Sequence, residues 1–343
     1  MPRLFSSKLL RKVEKSVGAG ISLLRAGCVT IYGAQSSRCA FFCLVISLSL
    51  SACSSTRPVV KIGLLAPFEG LHRESGYEAL AAMRVALSDY PLAEVEALPL
   101  ALDTSADPAQ ARRSALKMLR DDSVVAVIGP LQAPTVSAVA DVIKTSHLDV
   151  WLPTTPATAQ KAQVMILTLL AQIEGQKISL AGLDAAWPQL SAMEWSALTG
   201  KTVTMADDVD SVAAADGVLW LGNAQDGAAF LARLRALNSA VPFWTTNVAG
   251  DPVFFSLLQE RLNGAPPGPV YWAFPLPDSP DQYVEWAATQ QEPSPTAFAV
   301  YQATRWALAK AAGHDVAVEE PGLAIFGLDR EGRSELAEYV PLP

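Results

Sequence analysis

The sequence predicts an α/β fold of two doubly wound, Rossmann-like halves, and three observations predict it. Short apolar runs alternate along the chain with stretches of helical periodicity, the spacing of parallel sheets covered on both faces. Turn and cap residues stand at the joins, as at Asp107-Pro108 and Gly129-Pro130. The composition supplies the core: 343 residues, 50% hydrophobic and 17% charged, enough for roughly two domains and unlike a disordered or collagen-like chain. A net charge of −8, from 26 basic and 34 acidic residues, opposes nucleic-acid binding, which needs a basic face.

The first 52 residues read as a leader. They hold seven basic residues (Arg3, Lys8, Arg11, Lys12, Lys15, Arg25, Arg38) and one acid, Glu14, so the remainder is more acidic than the whole. After Arg38 comes CAFFCLVISLSLSAC, an apolar run too short to span a bilayer comfortably, behind a positive flank. Its end, Leu50-Ser51-Ala52-Cys53, is similar to a bacterial lipoprotein box: small residues for the peptidase, then a thiol to carry the lipid. Cys53 is therefore the expected lipidation site, and several acyl chains there would anchor the chain far more firmly than one. Ser54 after it fits an outer-membrane or general cell-envelope location better than inner-membrane retention. Cys28, Cys39 and Cys43 all precede the cut, so neither a disulfide framework nor a thiolate metal site is expected in the body.

Beyond a tether at 53–58, Val59–Ala66 reads as a buried strand, 74–90 as a helix and Val95–Asp103 as a second strand. Asp107–Arg120 is a helix with Asp107 as N-cap and Pro108 at N1; Val124–Ile128, Thr135–Thr145 and Leu148–Leu152 follow as strand, helix and strand. The second half repeats the theme: strands at Lys177–Leu183, Gly217–Gly222, Val241–Thr245 and Pro269–Phe274, helices at Asp226–Leu237 and Pro252–Leu262. Pro275–Pro280 reads as a crossover, Thr296–Ala312 as a long helix stopped at Gly313, and Asp329-Arg330-Glu331-Gly332 as a hairpin-like turn.

Catalytic signatures are missing from this pattern. There is no phosphate-binding loop, zinc-protease motif, nucleophile elbow or dinucleotide fingerprint. His72, His147 and His314 fall in separate loops or helix ends, where polar contact is the expected role, and Asp207, Asp208 and Asp210 read as a solvated loop. No nucleophile is set beside a base, so neither an enzyme nor a cofactor is expected.

The run KIGLLAPFEG (61–70), Ser75-Gly76 and a helix entered at Tyr77 resemble the opening of the type I periplasmic binding proteins. More closely they resemble the branch that binds leucine, isoleucine and valine for ABC transporters. LALDTSADPAQARRSALKML (100–119), VVAVIGPLQAPTVSAVADVI (124–143), VWLPTTPAT (150–158), ADGVLWLGNAQDGAAFLARLRAL (215–237), AFAVYQATRWALAKA (297–311) and FGLDREGR (326–333) agree in order and spacing. The resemblance implies a first lobe of 59–156 plus 276–322 and an abbreviated second lobe of 157–275 plus 323–343. Crossings would lie near 156–160, near 275 and in the tail. In open parallel sheets ligands sit beyond the carboxyl ends of the strands, so the loops Phe68–Tyr77, Pro130–Thr135 and Pro153–Thr158 are expected to face one cleft.

Carried over residue by residue, the resemblance implies ligand contacts at Ser75 and Tyr77, at Gln132, Ala133 and Thr135, and at Thr154 and Thr155. In the second lobe it implies Trp187, Asn247 and Asp251. Ala133 stands where a serine hydroxyl is common, Ser75 where an aromatic is common, and Asn247 where an acid would meet a ligand ammonium. The threonines at 154, 155 and 158 suit a helix cap as well as a ligand, and Ser75-Gly76 suits a simple turn. Trp187, Trp220, Trp244 and Trp272 are expected in the core or cleft wall.

The functional expectation is an envelope-anchored solute-binding component of an ABC uptake system, facing the periplasm or exterior. It would hold a small polar ligand (an amino acid, amide or small carboxylate), and its partners would be a permease, an ATPase and the membrane through Cys53. The alternative is a lipoprotein of the same fold with a degenerate pocket, acting as a partner-binding or regulatory module. The departures at Ala133, Ser75 and Asn247 favour that alternative.

Overall fold

The computed structural model describes residues 57–152, 159–183, 187–206, 208–212, 214–237, 240–276, 280–290, 294–316, 322–331 and 333–341, with the side chains of Ala133 and Ala159 left aside. The chain divides into two units, Met1–Pro58 and Val59–Pro343. Of the first, Arg57 and Pro58 alone are described, so the leader and Cys53 lie outside the described residues. No described helix is long and apolar enough to cross a membrane.

In the second unit the first segment alternates β1 (Val59–Ala66), α1 (Arg73–Asp89), β2 (Glu96–Asp103), α2 (Pro108–Met118), β3 (Val124–Ile128), α3 (Ala133–Lys144) and β4 (Asp149–Trp151). The strands form a parallel sheet in the order β2-β1-β3-β4. β2 is an edge, which is why Pro99, lacking an N–H, is tolerated within it opposite Ile62. Asp107 caps α2 by accepting from the Gln110 amide at 2.7 Å, as its sequence implies.

The chain then builds α4 (Ala159–Gln172), β5 (Lys177–Ala181), α5 (Ala192–Thr199), β6 (Thr202–Ala206), α6 (Val209–Val212) and β7 (Gly217–Trp220). It continues with α7 (Ala224–Ala236), β8 (Phe243–Thr245), a 3₁₀ turn at Asn247–Gly250, α8 (Pro252–Leu262) and β9 (Val270–Leu276). α9 (Pro280–Ala287) and α10 (Pro295–Ala311) precede the hairpin β10 (Gly322–Leu328) and β11 (Ser334–Val340). Among the described residues these strands form a seven-stranded sheet, β11-β10-β9-β8-β7-β5-β6, parallel from β6 to β9 and antiparallel through β10 and β11.

Several elements depart from the sequence expectation. α4, α5 and β6 fill the stretch expected to be abbreviated. β6 is an edge strand whose Thr202, Thr204 and Met205 are exposed, so it lacks the apolar run that marks its neighbours. The crossover expected from Pro275 begins later, because β9 continues through Leu276, with Pro275 opposite Leu323 of β10. β8 ends opposite Trp272, so Pro275 interrupts no ladder on that side.

Each sheet is covered on both faces. Ile62, Leu64 and Ile128 pack with Met83 of α1, while Leu65 and Val127 pack with Met118 of α2 and Val139 of α3 on the other face. In the larger sheet Phe243, Trp272, Phe274 and Phe326 form one core with α7 and α8, and Leu180 and Leu219 another with Leu169 of α4 and Trp195 of α5. α10 belongs to both sheets' cores. Its Phe298 and Ala299 join the Trp272 cluster, and its Val300, Ala303, Ala307 and Leu308 join the Met83 cluster. Such all-round burial fits a helix lacking one polar face. It closes with Gly313 at φ +83°, whose amide bonds Lys310 O while that of His314 bonds Ala309 O.

Candidate functional site

The loops leaving the carboxyl ends of β1, β2 and β3 and those leaving β7 and β8 meet around a cavity of about 230 Å³. This is where open parallel sheets present helix N-termini. From the small sheet come His72, Ser75 and Glu78 at the start of α1, Ala106, and Leu131, Gln132 and Pro134 before and within α3. The large sheet supplies Trp187, the turn Leu221–Ala224 and the stretch Thr246–Pro252, and α10 contributes Thr296.

Two local devices set the first wall. Asp103, at the end of β2, accepts from the amides of Phe68 at 2.7 Å, Glu69 at 3.3 Å and Ser105 at 2.9 Å, and from the Ser105 hydroxyl. Burial pushes its carboxyl up, but the bonds from Ser105, Phe68 and Glu69 outweigh that and hold it below its ordinary value. The loop into α1 is thereby tied to the neighbouring strand. Gly76 lets the helix approach that loop, because a Cβ there would lie 1.7 Å from the Pro67 carbonyl oxygen. Ser75-Gly76 is accordingly not a turn: α1 begins at Arg73 and both residues are buried inside its first turns.

The two walls touch through His72 and Asp251. The imidazole Nδ1 lies 2.7 Å from Asp251 Oδ2, with the side chains 22% and 15% exposed. The Ser75 hydroxyl donates to Asp251 Oδ1 at 3.4 Å, and the same oxygen caps α8 by accepting from the Val253 amide at 3.0 Å. The hydrogen bond to Asp251 raises the His72 pKa above its ordinary 6.5, its Coulombic attraction adds to this, and burial opposes both. Among the described residues no hydrogen bond joins Ser75 to His72. Hydroxyl and imidazole both address the carboxylate, unlike a triad in which serine bonds histidine.

Of the residues that the sequence resemblance implies, Ser75, Gln132, Trp187, Asn247 and Asp251 line this cavity together. Trp187 is fixed by its indole N–H, which donates to the Leu221 carbonyl at 2.6 Å. Gln132 precedes α3 in extended conformation, and its carbonyl accepts from the amides of Thr135 and Val136. Its side-chain Oε1 is buried without a hydrogen-bond partner among the described residues. Asn247 opens the 3₁₀ turn after β8.

Two of the expected residues do not line this cavity. Thr135 is fully buried behind the wall, its hydroxyl donating to the Gln132 carbonyl at 2.7 Å: it caps the turn. Tyr77 is 57% exposed and sits edge-on to Phe68, outside the cavity lining. Ala133 begins α3, with its side chain outside the description, and Thr154 and Thr155 lie outside the described residues. Trp220, Trp244 and Trp272 are core residues. Asp208 accepts from the Ser211 amide at 2.8 Å, a local turn cap.

Sequence reasoning missed His72, Asn223 and Thr246. Asn223 shows the only local signal, an Asn three residues before an Asp. It caps α7 by accepting from the Asp226 amide at 2.8 Å while its Nδ2 donates to the Asp226 carboxylate. His72 and Thr246 acquire their places only when the two sheets are brought together.

No family model matches the chain, and no curated protein matches it. Solved structures do. A leucine-binding protein from Thermotoga maritima is 14% identical, over 82% of this chain and 99% of that one, with a TM-score of 0.63. An ABC transporter solute-binding protein from R. palustris in complex with benzoate is 13% identical, over 83% and 97%, at 0.61. The branched-chain amino acid transporter substrate-binding protein of Streptococcus pneumoniae, in complex with isoleucine, is 13% identical, over 82% and 99%, at 0.58. The fold of residues 59–341 is that of the type I periplasmic binding proteins.

Proposed function

We propose that the chain is the solute-binding component of an ABC uptake system and captures a small polar ligand between its two sheets. One observation carries this reading: the loops at the carboxyl ends of the parallel strands of two separate sheets enclose one polar-lined cavity, bridged by His72 and Asp251. Walls from separate sheets can part and close about a ligand, which is how hinge closure sequesters a small molecule. Neighbours of the same fold hold isoleucine and benzoate, which supports a small-molecule occupant. The lobes would comprise 59–156 plus 276–322 and 157–275 plus 323–343, with a permease and an ATPase as partners. The lipoprotein box at Leu50–Cys53 supports an anchor through lipid on Cys53, in the cell envelope.

Thermal-shift and calorimetric screening of the chain against amino acids, amides and small carboxylates tests the reading. A ligand at 100 times its Kd adds about 2.7 kcal/mol to stability. Silence across the whole panel overturns capture. Palmitate labelling that is abolished by Cys53→Ala tests the anchor.

One observation favours the second reading, a lipoprotein with a degenerate pocket serving as a partner-binding module. The Asp251 carboxylate already receives His72, Ser75 and the Val253 amide. Gene neighbours encoding no permease, together with a silent screen, would select it.

A further inference from the structure

We infer that His72 and Asp251 form a clasp across the cavity: their contact sets how readily the two walls part, and a solute enters or leaves by its breakage. This rests on the reading of the cavity as the ligand site and adds a control on its opening.

Each end of the clasp is fixed in its own sheet. His72 ends the β1–α1 loop, which Asp103 ties to β2 through the amides of Phe68 and Glu69. Asp251 caps α8 through the Val253 amide at 3.0 Å, and its carbonyl takes the Phe254 amide at 2.9 Å. Its own amide donates to the Val248 carbonyl at 3.2 Å. Phe254 is fully buried in the core of the larger sheet. Neither loop can follow the other without disturbing its own sheet, so separation must break the bond between them.

The place about which the walls turn is equally defined. α10 gives Phe298 and Ala299 to one core and Val300, Ala303 and Ala307 to the other. Parting the sheets at α10 strips apolar side chains from a close-packed interior, which is costly. At the loops the tie is a set of hydrogen bonds to one carboxylate, which open and remake readily. Motion of the walls therefore pivots on α10 and is resisted at Asp251.

The contact has the strength for this task. An exposed ion pair between long side chains contributes little. Here both side chains are short, 22% and 15% exposed, and 2.7 Å apart. The hydrogen bond to Asp251 raises the His72 pKa, which favours the charged imidazole that a carboxylate holds best. The Ser75 hydroxyl, on the same wall as His72, adds a longer bond to Asp251 Oδ1 at 3.4 Å.

The test is hydroxyl-radical footprinting of the full chain at pH 6 without added solute, comparing the protein with His72→Ala, Asp251→Ser and the double variant. Serine keeps a cap on α8 but is too short to reach His72. The reporters are Leu131 and Trp187, which line the cavity from the two walls and are not part of the clasp. Met83 and Met165, buried in the cores of the small and large sheets, report general loosening. Oxidation at Leu131 and Trp187 is expected to rise about threefold or more in each single variant, with both methionines unchanged. The double variant should match the singles, because either substitution already breaks the one link. Reporters that stay at the unsubstituted level overturn the clasp, as does a double variant that opens further than either single. A rise at Met83 or Met165 in every variant also overturns it, since the pair then stabilises the fold at large. None of these outcomes bears on solute capture, which the ligand screen above decides separately.

Discussion

His72 Nδ1 and Asp251 Oδ2 lie 2.7 Å apart, although the two residues are carried by loops of different sheets and stand 179 positions apart in the chain. His72 precedes α1, and Asp251 is the N-cap of α8. One ion pair therefore bridges the cavity that both loops line.

That pairing makes the bridge sensitive to pH, and the direction is fixed. The His72 pKa is raised above 6.5 in the folded protein, chiefly by its hydrogen bond to Asp251. A raised pKa contributes stability that is complete below the unfolded value and lost as pH climbs through the folded one. Stability is expected to fall above about pH 6.5, and a His72→Gln variant should lack that decline while being about 1–2 kcal/mol less stable at pH 6. Urea denaturation of both proteins from pH 5 to 9 checks this.

Gly76→Ala should be the most damaging added methyl group among the described glycines. Its Cβ would lie 1.7 Å from the Pro67 carbonyl oxygen, a backbone atom that cannot swing aside. A loss of about 3 kcal/mol is expected, against about 1 kcal/mol at Gly200→Ser, an exposed helix stop with open space around it whose positive φ alone strains a side chain. Denaturation midpoints compare the two.

Asp103 ties the β1–α1 loop through backbone amides at Phe68 and Glu69. Asp103→Ala strands those donors and should cost about 1–2 kcal/mol, with hydrogen exchange accelerated at 68–72. Its carboxyl is held below the ordinary 3.8, so its contribution is present above that value and lost as pH falls through the lower folded one. The variant should accordingly show a shallower loss of stability below pH 4.

Phe298 sits in the Trp272 cluster although its helix also packs on Met83. Phe298→Ala should cost about 3–5 kcal/mol by opening a cavity. Because α10 is common to both cores, exchange protection is expected to drop in β1 as well as in β9 and β10. Loss confined to the larger sheet would show that the two cores melt separately.

The sequence carried much of this arrangement because most strands are apolar runs bounded by Gly, Pro or Asp, and VVAVI at 124–128 became β3 unchanged. β6 was illegible for a physical reason: TVTMA is an edge strand with only Val203 and Ala206 buried. α5 escaped notice because Trp195 is its one fully buried residue, so eight residues show no stripe. At the cavity, the strand-end loops were legible from position, and Ser75, Gln132, Asn247 and Asp251, implied by the resemblance, line it. What position does not reveal is orientation. Thr135, three residues beyond Gln132, turns its hydroxyl back to cap, and Tyr77, two beyond Ser75, turns outward onto Phe68.

The placement of α10 has an engineering consequence. A chain severed within 277–279 would give one fragment bearing both sheets' main strands, with an apolar groove beside Ala79 and Met83, and a second bearing the helix that fills it. Neither fragment retains a complete interior, so each is the natural complement of the other. The break point offers a split reporter whose reassembly restores the ligand cavity, since Thr296 on the shorter piece lines it.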